Sequence, residues 1–338
     1  MTFINRLPAK SGAFDKANGT NPVLGEKSSL RSVHPLRLTY ENLSLLVEGA
    51  SKTVWCAMRP SGRPIYTLGL MEDVSSMQRD LAEWHATEAQ GGASPVDWFV
   101  MKSDAPGIFN LGGDLGHFAE RIAAGDIEAL RHYGQLAVRA VHKNTTGFGL
   151  PMITLALVQG DALGGGFEHA LSFDVLVAER SARLGLPEVL FNLFPGMGAY
   201  SFLSRKVGRT IAEELILSGR LRTGEELHAM GVVDVLAEDG QGEDAVREYI
   251  TQRSRKHNAH LAVHRTRKVV NPVTLQELLE VVDVWAETAM TVTPLDLKIM
   301  TRLTKAQDRR LAAEGGADTT VTPRKSDGTP DGRVSVAI

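Results

Sequence analysis

Along the middle of the chain, short unbroken apolar runs alternate with longer stretches in which apolar residues return every three or four positions. Leu43–Glu48 and Thr53–Arg59 are β-favouring runs separated by Gly49-Ala50-Ser51-Lys52, punctuation suited to a hairpin. Met71–Glu88 places Met71, Val74, Met77, Leu81 and Trp84 at helical spacing. Val96–Met101 predicts a strand, followed by the turn-rich Ser103-Asp104-Ala105-Pro106-Gly107. Beyond Phe109–Asp114 a long helical pattern continues to about Asn144. Met152–Val158 is almost purely apolar, as expected of a strand buried on both faces, and Asp174–Ala178 predicts another strand. From Thr223 onward the pattern is mainly helical. Val281, Trp285, Thr288 and Val292 share one helical face, and Leu295, Ile299 and Leu303 continue a similar stripe. Strands alternating with helices predict an α/β layered domain.

The two ends read differently. Residues 1–30 are rich in Gly, Lys, Asn and Ser without periodicity, which predicts a flexible leader. Residues 314–338 mix Gly, Asp, Thr, Pro and Arg in no repeating order and read as a disordered tail. Between them the expected division is a core over 31–270 and a helical segment over 271–313. No internal repeat is visible.

Composition narrows the class. The 338 residues are 43% apolar and 23% charged, values that suit a globular protein with a sizeable core. The net charge of -3 gives no basic excess, so nucleic acid is not an expected partner. One cysteine, Cys56, excludes an internal disulfide framework and any multi-thiolate metal site; within an apolar run it reads as a small buried hydrophobe. No stretch is long and apolar enough for a signal peptide or a membrane span, and a reducing cytoplasm is the expected compartment. The histidines show no compact metal-ligand spacing, and no cofactor is expected.

Three stretches carry candidate chemistry. In Gln159-Gly160-Asp161-Ala162-Leu163-Gly164-Gly165-Gly166-Phe167-Glu168 a buried strand leads into three glycines and a helix beginning near Gly165. Free N–H groups at such a junction favour negative charge and suit an oxyanion, although most Gly-rich turns are only turns. Dinucleotide, P-loop and serine-hydrolase fingerprints are absent. Gly112-Gly113-Asp114 offers a second donor, and equally an ordinary helix cap at Asp114. In Gly185–Gly198 a lone carboxylate, Glu188, sits among apolar residues, and Glu168 has similar company. Desolvation would raise such carboxyls toward values useful for proton transfer, whereas a helix start opposes this for Glu168, leaving its direction open.

These motifs, in this order, resemble the signatures of the crotonase (enoyl-CoA hydratase) superfamily over roughly residues 36–310. The resemblance implies a layered β-β-α spiral core and oxyanion-hole N–H groups from Gly113 and Gly165. It implies catalytic glutamates at Glu168 and Glu188, with Glu188 removing the α proton and Glu168 protonating the departing β-hydroxyl. A narrower resemblance, in the runs Leu157–Glu168 and Gly185–Ser201, is to the diffusible-signal-factor synthases of bacterial quorum sensing. That resemblance implies dehydration of a 3-hydroxyacyl thioester on acyl carrier protein, then hydrolysis to a cis-2-enoic acid. It also implies that Trp285 and Leu303 line the acyl pocket, where helix-packing core explains them as well. The helical C-terminus and the family resemblance imply trimer-based assembly, as a homo-trimer or a dimer of trimers, and a sensor kinase is a further expected partner. An ordinary enoyl-CoA hydratase acting on CoA thioesters is the neighbouring expectation, and a catalytically silent kinase-binding module the more distant one. Arg205, Lys206 and Arg209, with Arg255, Lys256, Arg265 and Arg267, suggest a basic face for an acidic carrier or for CoA phosphates, or else a solvated helix surface.

Overall fold

The computed structural model describes residues 36–89 and 94–315, apart from the side chains of 309–315. The expected leader and all but the first two residues of the expected tail lie outside the described residues. Strands β1 (Leu43–Glu48) and β2 (Thr53–Met58) form the expected hairpin, turned through Lys52 at φ 49°. Helix α1 (Leu68–Glu88) begins where the Thr67 side chain accepts from the Leu70 N–H, and it buries Met71, Val74, Met77 and Leu81.

The next three passages follow one path. Strands β3 (Trp98–Ser103) and β4 (Ile108–Asn110) lead to helices α2 (Leu115–Ala123) and α3 (Ile127–Thr145). Strands β5 (Ile153–Val158) and β6 (Asp161–Leu163) lead to α4 (Gly165–Leu171). Strands β7 (Val175–Glu179) and β8 (Arg183–Gly185) lead to a 3-10 turn, Pro187–Phe191, then α5 (Ala199–Val207) and α6 (Arg209–Ser218). The long helical region expected to about Asn144 is two helices. Gly125, at φ 70°, ends α2, and the Asp126 side chain accepts from the Ala129 N–H to start α3.

The remainder comprises β9 (Arg222–Thr223), α7 (Gly224–Ala229), β10 (Val235–Ala237), α8 (Gly242–Ser254), α9 (His257–Val270), α10 (Leu275–Ala289) and α11 (Pro294–Gly315). A six-stranded sheet has the order β1-β2-β3-β5-β7-β10, parallel except for the β1–β2 pair. A smaller sheet has the order β4-β6-β8-β9, parallel through β8. Each passage therefore visits a strand of the large sheet, a short strand of the small one and then a helical element. This is the layered β-β-α spiral, and it sets the carboxyl ends of β4, β6 and β8 side by side.

Helices cover both faces of the large sheet, so its central strands are mainly apolar and buried on both faces rather than alternating. Trp55, Trp98, Val100, Leu155 and Val177 face Val246 and Ile250 of α8. Val54, Cys56, Phe99, Met101, Ala156 and Leu176 point into the larger core. Cys56 is fully buried there, and burial pushes its thiol well above the usual range. The C-terminal stripe departs from expectation. The buried face of α10 is Leu278, Val282, Trp285, Ala286 and Ala289, whereas Leu295 at the start of α11 is 63% exposed. Farther along α11, Ile299 and Leu303 do pack against the core, so of that stripe only Leu295 is left out. No helix among the described residues is long and apolar enough to cross a membrane.

Candidate active site

Beyond the end of β4, Asp114 caps α2 by accepting from the His117 N–H at 3.0 Å, as the simpler reading of that motif expected. Gly113 stands beside it in a parallel bridge with Tyr66. The Tyr66 N–H donates to the Gly112 carbonyl at 2.8 Å, which leaves the Gly113 N–H outside that ladder. Beyond β6, Gly164 adopts φ 51° and ψ -125°, a region open essentially to glycine, and a Cβ there would run into Glu188 Oε1. Gly165 is the first residue of α4, where a backbone N–H has no acceptor within its own helix. A Cβ on Gly165 would lie 3.6 Å from the Gly113 nitrogen, so the two backbones stand side by side, and both residues line the same cavity. At Gly166 a Cβ would strike the Asn110 carbonyl; the bare backbone lets α4 press against β4.

Glu168, one turn into α4, is 1% exposed. Its Oε1 accepts from the Met197 N–H at 2.7 Å and the Ala199 N–H at 2.9 Å, at the start of α5. These donors and the helix end favour the carboxylate, yet burial outweighs them and pushes the group up to about 7. The direction left open by the sequence is thus upward. Glu188 projects from the 3-10 turn beyond β8. The residue is half-buried overall, but its Oε2 is fully enclosed and has no hydrogen-bond partner among the described residues. Burial first, and then the charge of Glu168, raise it well above the carboxylate range. With amide donors on Glu168 and none on Glu188 Oε2, the surroundings disfavour the charged form more strongly at Glu188.

A cavity of about 310 Å³ joins these parts: Gly113, Gly165, Glu168, Glu188, Trp285 and Leu303 all line it. Its polar side chains are the two glutamates, Tyr133 and Gln307; most of the rest is aliphatic or aromatic. The Phe118 ring lies edge-on to Trp285 at 5.1 Å and to Tyr133 at 4.9 Å, forming an aromatic wall. Sequence reasoning missed Phe118, Tyr133, Met197 and Gln307. Phe118 and Tyr133 lie within the long helical pattern before Asn144, where nothing local marks a cavity wall. Met197 contributes a backbone N–H, for which the adjoining Gly198 at φ 111° was the available sign. Gln307 accepts from Arg63 at 2.8 Å, a contact between distant parts of the chain that no local pattern announces.

Part of the suggested basic face is tied up internally. Arg205 pairs with Glu277 at 2.8 Å, Lys206 with Asp234 at 2.7 Å, and Arg267 and Lys268 with Asp174 at 3.0 and 2.9 Å. Arg209 reaches Glu213 only at 3.9 Å, and Arg255, Lys256 and Arg265 are exposed. Among the described residues no group of three or more His, Cys, Asp or Glu is placed to hold a metal ion. The site thus sets the backbone of Gly113 and Gly165, the buried carboxyl of Glu168 and the half-buried carboxyl of Glu188 around one largely apolar cavity.

Residues 93–292 match the family model described as enoyl-CoA hydratase/isomerase. The chain is 32% identical over 240 residues to the mitochondrial methylglutaconyl-CoA hydratase of Rattus norvegicus, covering 70% of this chain and 69% of that one. It is 35% identical over 153 residues to the 2,3-dehydroadipyl-CoA hydratase of Escherichia coli, covering 45% and 55% respectively. Human mitochondrial delta3-delta2-enoyl-CoA isomerase superposes with a TM-score of 0.65, at 14% identity over 80% of this chain and 99% of that one, a likeness of fold. The chain belongs to the enoyl-CoA hydratase/isomerase family of the crotonase superfamily.

Proposed function

We propose that this protein adds water to, and removes it from, the α,β carbons of a fatty acyl thioester, with Glu168 and Glu188 as the proton-transfer groups. The observation that carries the reading is the unequal buried pair: Glu168 is held by the Met197 and Ala199 N–H groups, whereas Glu188 Oε2 has no donor. Both face the cavity bordered by Gly113 and Gly165. In hydration, the Glu168 carboxylate takes a proton from water as the water oxygen bonds to Cβ. The Cα=Cβ electrons move onto the thioester oxygen, which the Gly113 and Gly165 N–H groups stabilise, each well-placed donor contributing about 3 kcal/mol. The proton on Glu188 then passes to Cα. Dehydration reverses each step: Glu188 removes the α proton and Glu168 protonates the leaving hydroxyl. The likeness to CoA-thioester hydratases supports hydration of an enoyl-CoA as the first assay.

The finer reading is dehydration of a 3-hydroxyacyl group on acyl carrier protein, followed by thioester hydrolysis to a cis-2-enoic acid that serves as a diffusible signal. It is supported by Trp285 and Leu303, which both line the apolar cavity beside the glutamates. Trimer-based assembly goes with either reading, and a sensor-kinase partner with a binding role beside catalysis. Mass spectrometry separates the two. A hydratase interconverts trans-2-enoyl-CoA and 3-hydroxyacyl-CoA, whereas a signal synthase releases free cis-2-enoic acid from the acyl carrier. Thioester product alone, with no free acid from either carrier, would eliminate the finer reading.

A further inference from the structure

Behind the two amide donors lie two buried polar side chains that the proton transfers do not use. His169, next to Glu168 on α4, is 0% exposed, and neither ring nitrogen has a hydrogen-bond partner among the described residues. Tyr66 is also 0% exposed, with its hydroxyl equally unpartnered. Their ring centroids lie 5.3 Å apart, inclined at 54°. The remaining rings around His169 are Phe109 at 6.4 Å and Phe173 at 5.2 Å, neither of which offers a strong partner. Burial drives the imidazole down to about 3, so at working pH it is neutral, with one N–H and one bare nitrogen. Cores rarely keep such groups unsatisfied, and internal water commonly joins them.

Their placement connects them to the site. The Tyr66 N–H holds Gly112, and its carbonyl accepts from the Tyr133 hydroxyl. That hydroxyl accepts in turn from the Asp114 N–H at 3.2 Å. Tyr66 thus braces the segment that presents Gly113. His169 sits on the helix whose first residue is Gly165.

Resting on the thioester reading above, we propose that Tyr66 and His169 are positioning residues whose side chains pair through one internal water, a joint that sets the spacing of the Gly113 and Gly165 N–H groups. Neither side chain touches the reacting atoms. The oxyanion forms only during the reaction, so loosening the joint lowers kcat and leaves KM nearly unchanged.

The test compares Tyr66→Phe, His169→Leu, the double variant and His169→Gln in thioester hydration, with circular dichroism as the check on folding. Each of the first two is expected to lower kcat about tenfold with KM within about twofold, and the double to be no slower than either. His169→Gln, which keeps a donor and an acceptor, recovers most of the loss. Ring nitrogen NMR of the histidine-labelled protein reads the pairing without catalysis: the His169 signals move on Tyr66→Phe. Should His169→Leu fail to fold, Tyr66→Phe, which removes one oxygen, carries both arms. Wild-type kcat in folded Tyr66→Phe, or His169 signals unmoved by it, would overturn the inference. A wild type inactive on every thioester would count against the functional reading instead, while the NMR arm still decides the pairing.

Discussion

Glu168→Gln and Glu188→Gln should each lower the rate of thioester hydration about 10²–10⁴-fold while leaving the circular dichroism spectrum unchanged, because each removes one proton carrier and little volume. Stability should move the other way. A carboxyl raised from 4.5 to about 7 on folding favours the folded state least at high pH. Below the unfolded value both states hold the proton and there is no penalty; between 4.5 and about 7 the unfolded chain releases it first, and stability falls as pH rises. Glu168→Gln removes that penalty. Its stability relative to wild type should therefore be about 3 kcal/mol more favourable at pH 8 than at pH 4, measured by urea denaturation at both. An equal difference at the two pH values would show that Glu168 is not raised. That both glutamates were unusual was legible from their apolar neighbours. Which way Glu168 shifts was not, because the donors that compete with burial come from Met197 and Ala199, 29 and 31 residues away.

At the level of elements, the site is the meeting of three carboxyl ends, those of β4, β6 and β8, and a glycine lies at each close approach. Gly164→Ala should cost about 1–3 kcal/mol from its left-handed backbone alone. It should also abolish most activity, since the new Cβ meets Glu188 Oε1; a thermal melt and a rate together check this. An alanine variant with wild-type rate would place Glu188 elsewhere. The long strands were legible because four to six consecutive apolar residues mark burial on both faces. Strands β6 and β8, three residues each, were not, because so short a run shows no period. The break between α2 and α3 had its signal in Gly125-Asp126, a terminator followed by a cap, but apolar periodicity across it concealed the stop.

Over the whole molecule, the spiral brings motifs from residues 109–115, 159–168 and 185–198 to one cavity, and its order was readable because each motif follows its own strand. The charged surface was harder to read from sequence, since partners such as Asp174 and Glu277 come from distant segments. Arg205 donates to Glu277 and to the Pro272 carbonyl. Arg205→Ala should therefore lower thermal stability while changing KM for an acyl thioester less than about twofold. A large rise in KM with unchanged melting would restore the basic-face reading. The central claim is that the Glu168–Glu188 pair moves protons to and from an acyl thioester polarised by Gly113 and Gly165. Its most direct test is hydration of trans-2-enoyl-CoA in D2O, followed by mass spectrometry of the product. The account predicts one deuterium retained at Cα in the wild-type product and none formed above background by Glu168→Gln or Glu188→Gln. Deuterated product from either variant at the wild-type rate would contradict it.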